Sequence, residues 1–350
     1  MFTYRQDDEF FIRYVTKRRD FCCNYFSAAK GLPFCCGKDG SMDGLMQVVW
    51  LFLGFVMLIK GADWFVDGAA GLARRLGIPQ LVIGLTIVAM GTSAPEAAVS
   101  ISSALKGSAE IAVGNIVGSN ILNILIILGL TSLFTPLRVA ASTRNYEIPY
   151  MILITVLLVF LGSTGQQIVL WEAVVLLAFF GGYLWYLFRM ARKQKEAPGQ
   201  TSGGKPLWTL SIYMIAGIGL VVLGSSLTVD GATGIAKMLG VSERFIGLTI
   251  VAFGTSLPEL VTSLIAARKG NADIAIGNIV GSNIFNILFI LGITGLILPI
   301  PFAANFLIDT WIAVGTGVLL LLGVLKGRKL TRGLGVVMLI CYAAYFWYLL

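Results

Sequence analysis

Two carboxylates stand inside apolar stretches of this chain, Glu96 in GTSAPE and Glu259 in GTSLPE, and each directly follows a proline. A charged carboxylate near the middle of a bilayer costs at least about 2.5 kcal/mol, so such a group needs a partner or a task. The proline removes one N–H and displaces the carbonyl four residues earlier, here Gly91 and Gly254. Carbonyls around Ala89 to Gly91 and around Ala252 to Gly254 are therefore expected to line a cavity, the one setting in which broken backbone is tolerated in lipid. Thr92 and Ser93 precede Glu96 by four and three residues, on one helical face. In the next apolar stretch Ser119 and Asn123 are four apart, as are Ser282 and Asn286 further on. Carboxylate, hydroxyl, amide and carbonyl oxygens are the donors that hard cations choose, and two carboxylates neutralise one divalent ion.

The elements that hold these residues come in two copies. Residues 84–137 align without a gap to residues 247–300 at an offset of 163, with about two positions in three identical. The match reaches back to Val66-Asp67-Gly68-Ala69 and Val229-Asp230-Gly231-Ala232. Ten stretches are apolar and long enough to cross about 30 Å of hydrocarbon. They fall near 46–70, 78–104, 110–134, 146–163, 168–189, 207–231, 244–267, 273–298, 305–325 and 332–350. The polar loop 190–206 divides them five and five, giving repeat units 45–189 and 207–350 behind a polar extension, 1–44. With an odd number of spans per half, equivalent segments must cross in opposite directions, the inverted repeat of secondary transporters. The expected fold class is thus an all-α polytopic membrane protein with ten transmembrane helices in two inverted five-helix repeats.

Composition bounds the alternatives. The chain is 57% hydrophobic and only 13% charged, with a mean hydropathy of +0.85. A soluble domain of 350 residues would need far more charge on its surface. The net charge of +8 does not point to nucleic acid, because the basic residues are spread over short loops. If the N-terminus lies outside, fifteen lysines and arginines fall in loops facing the cytoplasm, against three in the opposite loops. That bias places both termini outside the cytoplasm. The absence of histidine removes the usual zinc and histidine-based catalytic designs. Cys22, Cys23, Cys35 and Cys36 form CC pairs, not the CxxC spacing of a metal knuckle, and Cys341 reads as a hydrophobe in the last span. Residues 1–44 lack the apolar core of a signal peptide and read as a disordered extension.

Several residues have a plainer reading beside the functional one. Gly114, Gly118, Gly277 and Gly281, in the two GNIVG segments, fit small-xxx-small helix packing. Asn120 and Asn283 are candidates to bridge helices, and Asp67 and Asp230 to cap or anchor span ends.

GTSAPE with GNIVGSNILNI, and GTSLPE with GNIVGSNIFNI, closely resemble the two repeats of the calcium/cation antiporter superfamily, in its prokaryotic sodium/calcium exchanger branch. The resemblance implies ion ligands at Thr92, Ser93, Glu96, Ser119 and Asn123 in the first repeat. It implies Thr255, Ser256, Glu259, Ser282 and Asn286 in the second, with backbone carbonyls from Ala89 and Ala252. Some relatives carry aspartate where Asn123 or Asn286 stands, which argues against potassium co-transport here. The implied activity is exchange of calcium for sodium or protons, with no cofactor, no enzymatic step, no nucleic acid and no obligatory protein partner. The lipid bilayer and the transported calcium and sodium ions are the expected partners. The oxygen-only site also admits an antiporter for manganese or magnesium, and a cation channel is a more distant alternative.

Overall fold

The computed structural model describes residues 44–105, 107, 109–193, 206–239, 252–325 and 327–349. The expectations for 1–43, including its four cysteines, and for most of the loop 190–206 lie outside these residues. Long apolar runs with few charges form helices because no other open structure satisfies its own backbone in lipid. In chain order they are α1 (Gly44–Leu76), α2 (Gln80–Thr92), α3 (Ala94–Leu105), α4 (Glu110–Phe134), α5 (Thr143–Ser163) and α6 (Leu170–Lys193). Then follow α7 (Leu207–Met238), α8 (Ala252–Thr255), α9 (Leu257–Arg268), α10 (Ala272–Ile297), α11 (Ala304–Leu325) and α12 (Arg332–Leu349).

Among the described residues eight helices are long and apolar enough to span, and the pair α2 and α3, bent by 49° at its break, makes a ninth. The expected span 244–267 is represented only by α8 and α9, since residues 240–251 fall outside the described set. Two very short antiparallel ladders were not expected from the sequence. Leu137–Arg138 (β1) pairs with Lys329–Leu330 (β4), and Gln167–Ile168 (β2) pairs with Ile300–Pro301 (β3). Each ladder ties a turn of one repeat to a turn of the other.

The centre of the bundle is α10 and α4, the helices that carry GNIVG; α10 is almost wholly buried. Around them the helices are buried on one side and expose tryptophans and aliphatic side chains such as Trp171, Trp185 and Trp311 on the other. The equivalent helices α1 and α7 pack antiparallel, Gly44 meeting Met238 at one end and Gly68 meeting Met214 toward the other. Their contact is a row of glycines seven apart: Gly54, Gly61 and Gly68 on α1, and Gly217, Gly224 and Gly231 on α7. A Cβ on Gly61 would sit 2.7 Å from the Leu220 Cβ and 2.8 Å from the Gly217 carbonyl oxygen, so only glycine lets the backbones approach this closely. Gly277 and Gly281 serve packing as expected, against Gly84 and Leu85 of α2. The neighbours expected for Gly114 and Gly118 by the repeat, residues 247–248, lie outside the described residues.

Candidate ion-binding site

The Pro-Glu motifs do not kink one continuous helix. The first helix stops at Thr92 and a new one begins at Ala94, so Pro95 and Glu96 lie in the first turn of α3. In the second repeat Pro258 and Glu259 lie in the first turn of α9, behind Ser256. Proline fits a first turn, where its missing N–H is not needed, and the positive end of the helix dipole favours a carboxylate there. Ser-x-Pro-Glu has the spacing of a capping box. The serines cross the bundle instead: Ser93 Oγ donates to Glu259 Oε1 at 2.8 Å and Ser256 Oγ to Glu96 Oε1 at 3.2 Å. The Thr255 and Thr92 hydroxyls lie against the same two carboxylates, Glu96 and Glu259 respectively.

The amides repeat this exchange. Asn120 Nδ2 donates to the Asn283 carbonyl and Asn283 Nδ2 to the Asn120 carbonyl, both at 3.2 Å. Asn123 Nδ2 donates to Asn283 Oδ1 at 2.9 Å, and Asn286 Nδ2 to Asn120 Oδ1 at 3.0 Å. Asn120 and Asn283 are therefore the helix bridges expected of them, and they also aim the amides at 123 and 286. Asn123 and Asn286 each open a π-helical turn, whose extra residue shifts the register of a helix locally.

Thr92, Ser93, Glu96, Ser119, Asn123, Thr255, Ser256, Glu259, Ser282 and Asn286 are all buried. Hydrogen bonds between the repeats bring most of them to one place. Ala89, at the end of a π-helical turn, accepts from the Ser93 N–H at 3.0 Å and from Ser282 Oγ at 3.3 Å. Its carbonyl is thus hydrogen-bonded rather than freed, because the helix breaks at Ser93 and the bond to Ala89 survives. Ala252 opens α8 at the equivalent position. The carbonyl that Pro258 releases, Gly254, accepts from Ser225 Oγ of α7 at 2.7 Å.

Four buried oxygens in this cluster have no hydrogen-bond partner: Glu96 Oε2, Glu259 Oε2, Asn123 Oδ1 and Asn286 Oδ1. Orphaned buried acceptors are costly, and here all four are acceptors, two from each repeat. A cation would supply what they lack. The described residues contain no cluster of three or more His, Cys, Asp or Glu, so a cation here is met by two carboxylates and neutral oxygens. That favours a hard ion over zinc or copper.

Three residues that support the site were missed in the sequence: Asn115, Asn278 and Ser225. Asn115 Nδ2 donates to the Glu96 carbonyl at 3.3 Å and to Ser100 Oγ at 3.1 Å. Asn278 Nδ2 does the same for the Glu259 carbonyl at 3.4 Å and Ser263 Oγ at 2.9 Å, while its Oδ1 accepts from Thr92 at 2.9 Å. Both sit inside GNIVG and recur at the offset of 163, a signal that could have found them. Ser225 could not be found so, because Ala62 stands at its equivalent. Asp67 does not merely cap a span end. Lys269, in the turn before α10, meets Asp67 and Asp63 of α1, each at 2.7 Å.

The sequence profile of the family described as sodium/calcium exchanger protein matches residues 46–189 and 209–350. The chain is 41% identical over 315 residues to the putative antiporter CaxA of Alkalimonas amylolytica, covering 86% of this chain and 98% of that one. It is 32% identical over 340 residues to the sodium/calcium exchanger MaX1 of Methanosarcina acetivorans, covering 84% and 96%. The inner membrane protein YrbG of Escherichia coli is 39% identical over 271 residues, covering 73% and 81%. Among solved structures, the sodium-calcium exchanger NCX_Mj soaked with zero Na+ and Ca2+ superposes with a TM-score of 0.77 at 31% identity, over 88% of this chain and all of that one. Profile, sequence and fold agree: the chain belongs to the sodium/calcium exchanger family, and is a multi-pass membrane cation antiporter rather than an enzyme.

Proposed function

We propose that this protein exchanges calcium for sodium or protons by alternating access, with the cation held between Glu96 and Glu259. The ligands are their carboxylates, the hydroxyls of Thr92, Ser93, Ser119, Thr255, Ser256 and Ser282, the amide oxygens of Asn123 and Asn286, and the carbonyls of Ala252 and of Ala89, which keeps its backbone bond from Ser93. One observation carries the reading: four unpartnered buried oxygens, contributed equally by the two repeats, meet around two carboxylates. A bound divalent ion satisfies those oxygens and cancels both charges, and two sodium ions or two protons do the same. Occupancy by one cargo then requires release of the other, which is the basis of exchange.

The architecture proposed for this cycle is ten crossings in two inverted five-span halves, 45–189 and 207–350, joined by a cytoplasmic loop at 190–206. The antiparallel packing of α1 on α7 and the paired hydrogen bonds at an offset of 163 support it. The excess of basic residues in alternate loops supports both termini lying outside the cytoplasm. The α1–α7 pair, joined by its row of glycines, moves as one body past the ligand-bearing core and opens one side at a time. With an inward sodium or proton gradient the net direction is calcium export.

Radioactive calcium uptake into proteoliposomes tests this, with an outward sodium gradient in one set and an outward proton gradient in another. Uptake driven by one gradient names the counter-ion. No uptake under either, with uptake of manganese or magnesium instead, would replace calcium as the cargo.

A further inference from the structure

Another buried carboxylate lies away from the central cluster, and Thr310 stands at its position in the other repeat. Glu147, at the start of α5, is 1% exposed. The Tyr186 hydroxyl of α6 donates to its Oε1, while its Oε2 has no partner. Two more buried oxygens beside it are also unpartnered: Thr143 Oγ1, one turn earlier on α5, and Tyr183 Oη, one turn from Tyr186 on α6. The facing stripes are held in register from both sides. The Tyr150 and Tyr183 rings stack at 5.6 Å and the Tyr150 hydroxyl donates to the Phe179 carbonyl at 2.9 Å.

Among the described residues no cationic side chain forms an ion pair with this carboxylate. Arg144 is directed to Asn145 and the Leu325 carbonyl, and Arg189 and Arg192 lie over the rings of Trp185 and Phe188. The titratable groups around Glu147 are Tyr183 and Tyr186 of α6 and Asp273 at the head of α10, with Tyr150 beside Tyr183 and Tyr146 beside Tyr186. Three unpartnered oxygens are too few for a sodium or calcium shell, which takes about six. A proton needs one acceptor and gives the acid a donor for a second.

We propose that Glu147 is a proton site separate from the transport carboxylates, at the arginine-rich side of the membrane. At the offset of 163, Thr143, Glu147, Tyr183 and Tyr186 become Phe306, Thr310, Phe346 and Leu349. The carboxylate–tyrosine pair at the other end of the bundle, Asp309 with Tyr345 at 3.2 Å, stands outside this register and is only partly buried. Access runs through Tyr186, which is only half-buried and lies one turn from Arg189. Loss of the proton places a negative charge in the field of Asp273, on the helix that carries Asn278, Ser282 and Asn286. The state of this site thereby bears on the ligand-bearing core without entering it.

The test is infrared difference spectroscopy of the full-length protein in lipid, titrated with pH at saturating calcium. Calcium keeps the transport carboxylates ionised, and the readout does not depend on which counter-ion drives exchange. The expected result is a protonated-carboxyl band that is absent in Glu147→Gln and shifted in frequency in Tyr186→Phe. Glutamine keeps the acceptor for Tyr186 and mimics the protonated acid. An unchanged band in Glu147→Gln overturns the proposal. If Glu147→Gln does not fold, an unshifted band in Tyr186→Phe overturns it equally.

Discussion

Replacing Glu259 with glutamine removes one negative charge from the central cluster while keeping its shape. The amide retains an oxygen for the Ser93 hydroxyl, now 2.8 Å from Oε1, but an NH2 group can take the place of the unpartnered Oε2. Two unit charges 4 Å apart at an effective dielectric near 20 interact by about 4 kcal/mol, and a divalent ion doubles this to about 8 kcal/mol. Stripping water from a carboxylate costs several kcal/mol and offsets about half of that. The net loss is about 4 kcal/mol, or about a thousandfold in the dissociation constant for calcium. The fold should survive, because removing one of two buried like charges relieves repulsion in the ion-free protein. The assay is equilibrium binding of radioactive calcium to the purified protein, with melting temperature measured on the same sample. Glu96→Gln should behave alike, since Ser256 holds Glu96 as Ser93 holds Glu259. A well-folded Glu259→Gln protein that binds calcium within about threefold of wild type refutes the placement of the ion between the two carboxylates.

Three other outcomes follow from the same geometry. Gly61→Val should overpack the α1–α7 contact, where even a Cβ meets the Gly217 oxygen at 2.8 Å, and cost about 1–3 kcal/mol. Thermal unfolding in detergent reads this, with Gly181→Ala, where a Cβ meets nothing within 4 Å, as the unaffected control. Asn278→Ala deprives Thr92, Ser263 and the Glu259 carbonyl of a partner, and at about 1 kcal/mol or more for each bond calcium affinity should fall at least tenfold. Unchanged affinity would reduce Asn278 to packing. The third concerns Lys269, whose pKa burial pushes down but the hydrogen bonds to Asp63 and Asp67 push up more strongly, leaving it above the ordinary lysine value. A raised pKa means the clasp is complete at neutral pH and is lost only as pH rises through the lysine range. Lys269→Gln should therefore alter exchange at pH 7 by about two- to fivefold, the worth of a half-exposed ion pair, and should abolish the difference between neutral and strongly alkaline pH. Equal profiles for the variant and wild type would show that the clasp does not bear on the cycle.

Much of the molecule was legible in the chain because the membrane leaves few choices. Runs of about twenty apolar residues must be helices, and a duplicated Pro-Glu inside them is too costly to be incidental. The gapless repeat at 163 told which residues belong together, so Glu96, Ser119 and Asn123 could be matched to Glu259, Ser282 and Asn286 before any coordinates. What the sequence could not decide were contacts between residues far apart in the chain. Ser93 reads as a cap for its own helix, and only the packing of the two halves turns its hydroxyl to Glu259, 166 residues away. The Ala89 carbonyl was expected to be free, but the helix stops at Thr92, three residues before Pro95, and leaves its bond to Ser93 intact. Local rules set which groups each repeat offers. Burial of the two central helices against each other sets which of those groups are left without a partner, and those orphaned oxygens are what a cation can fill.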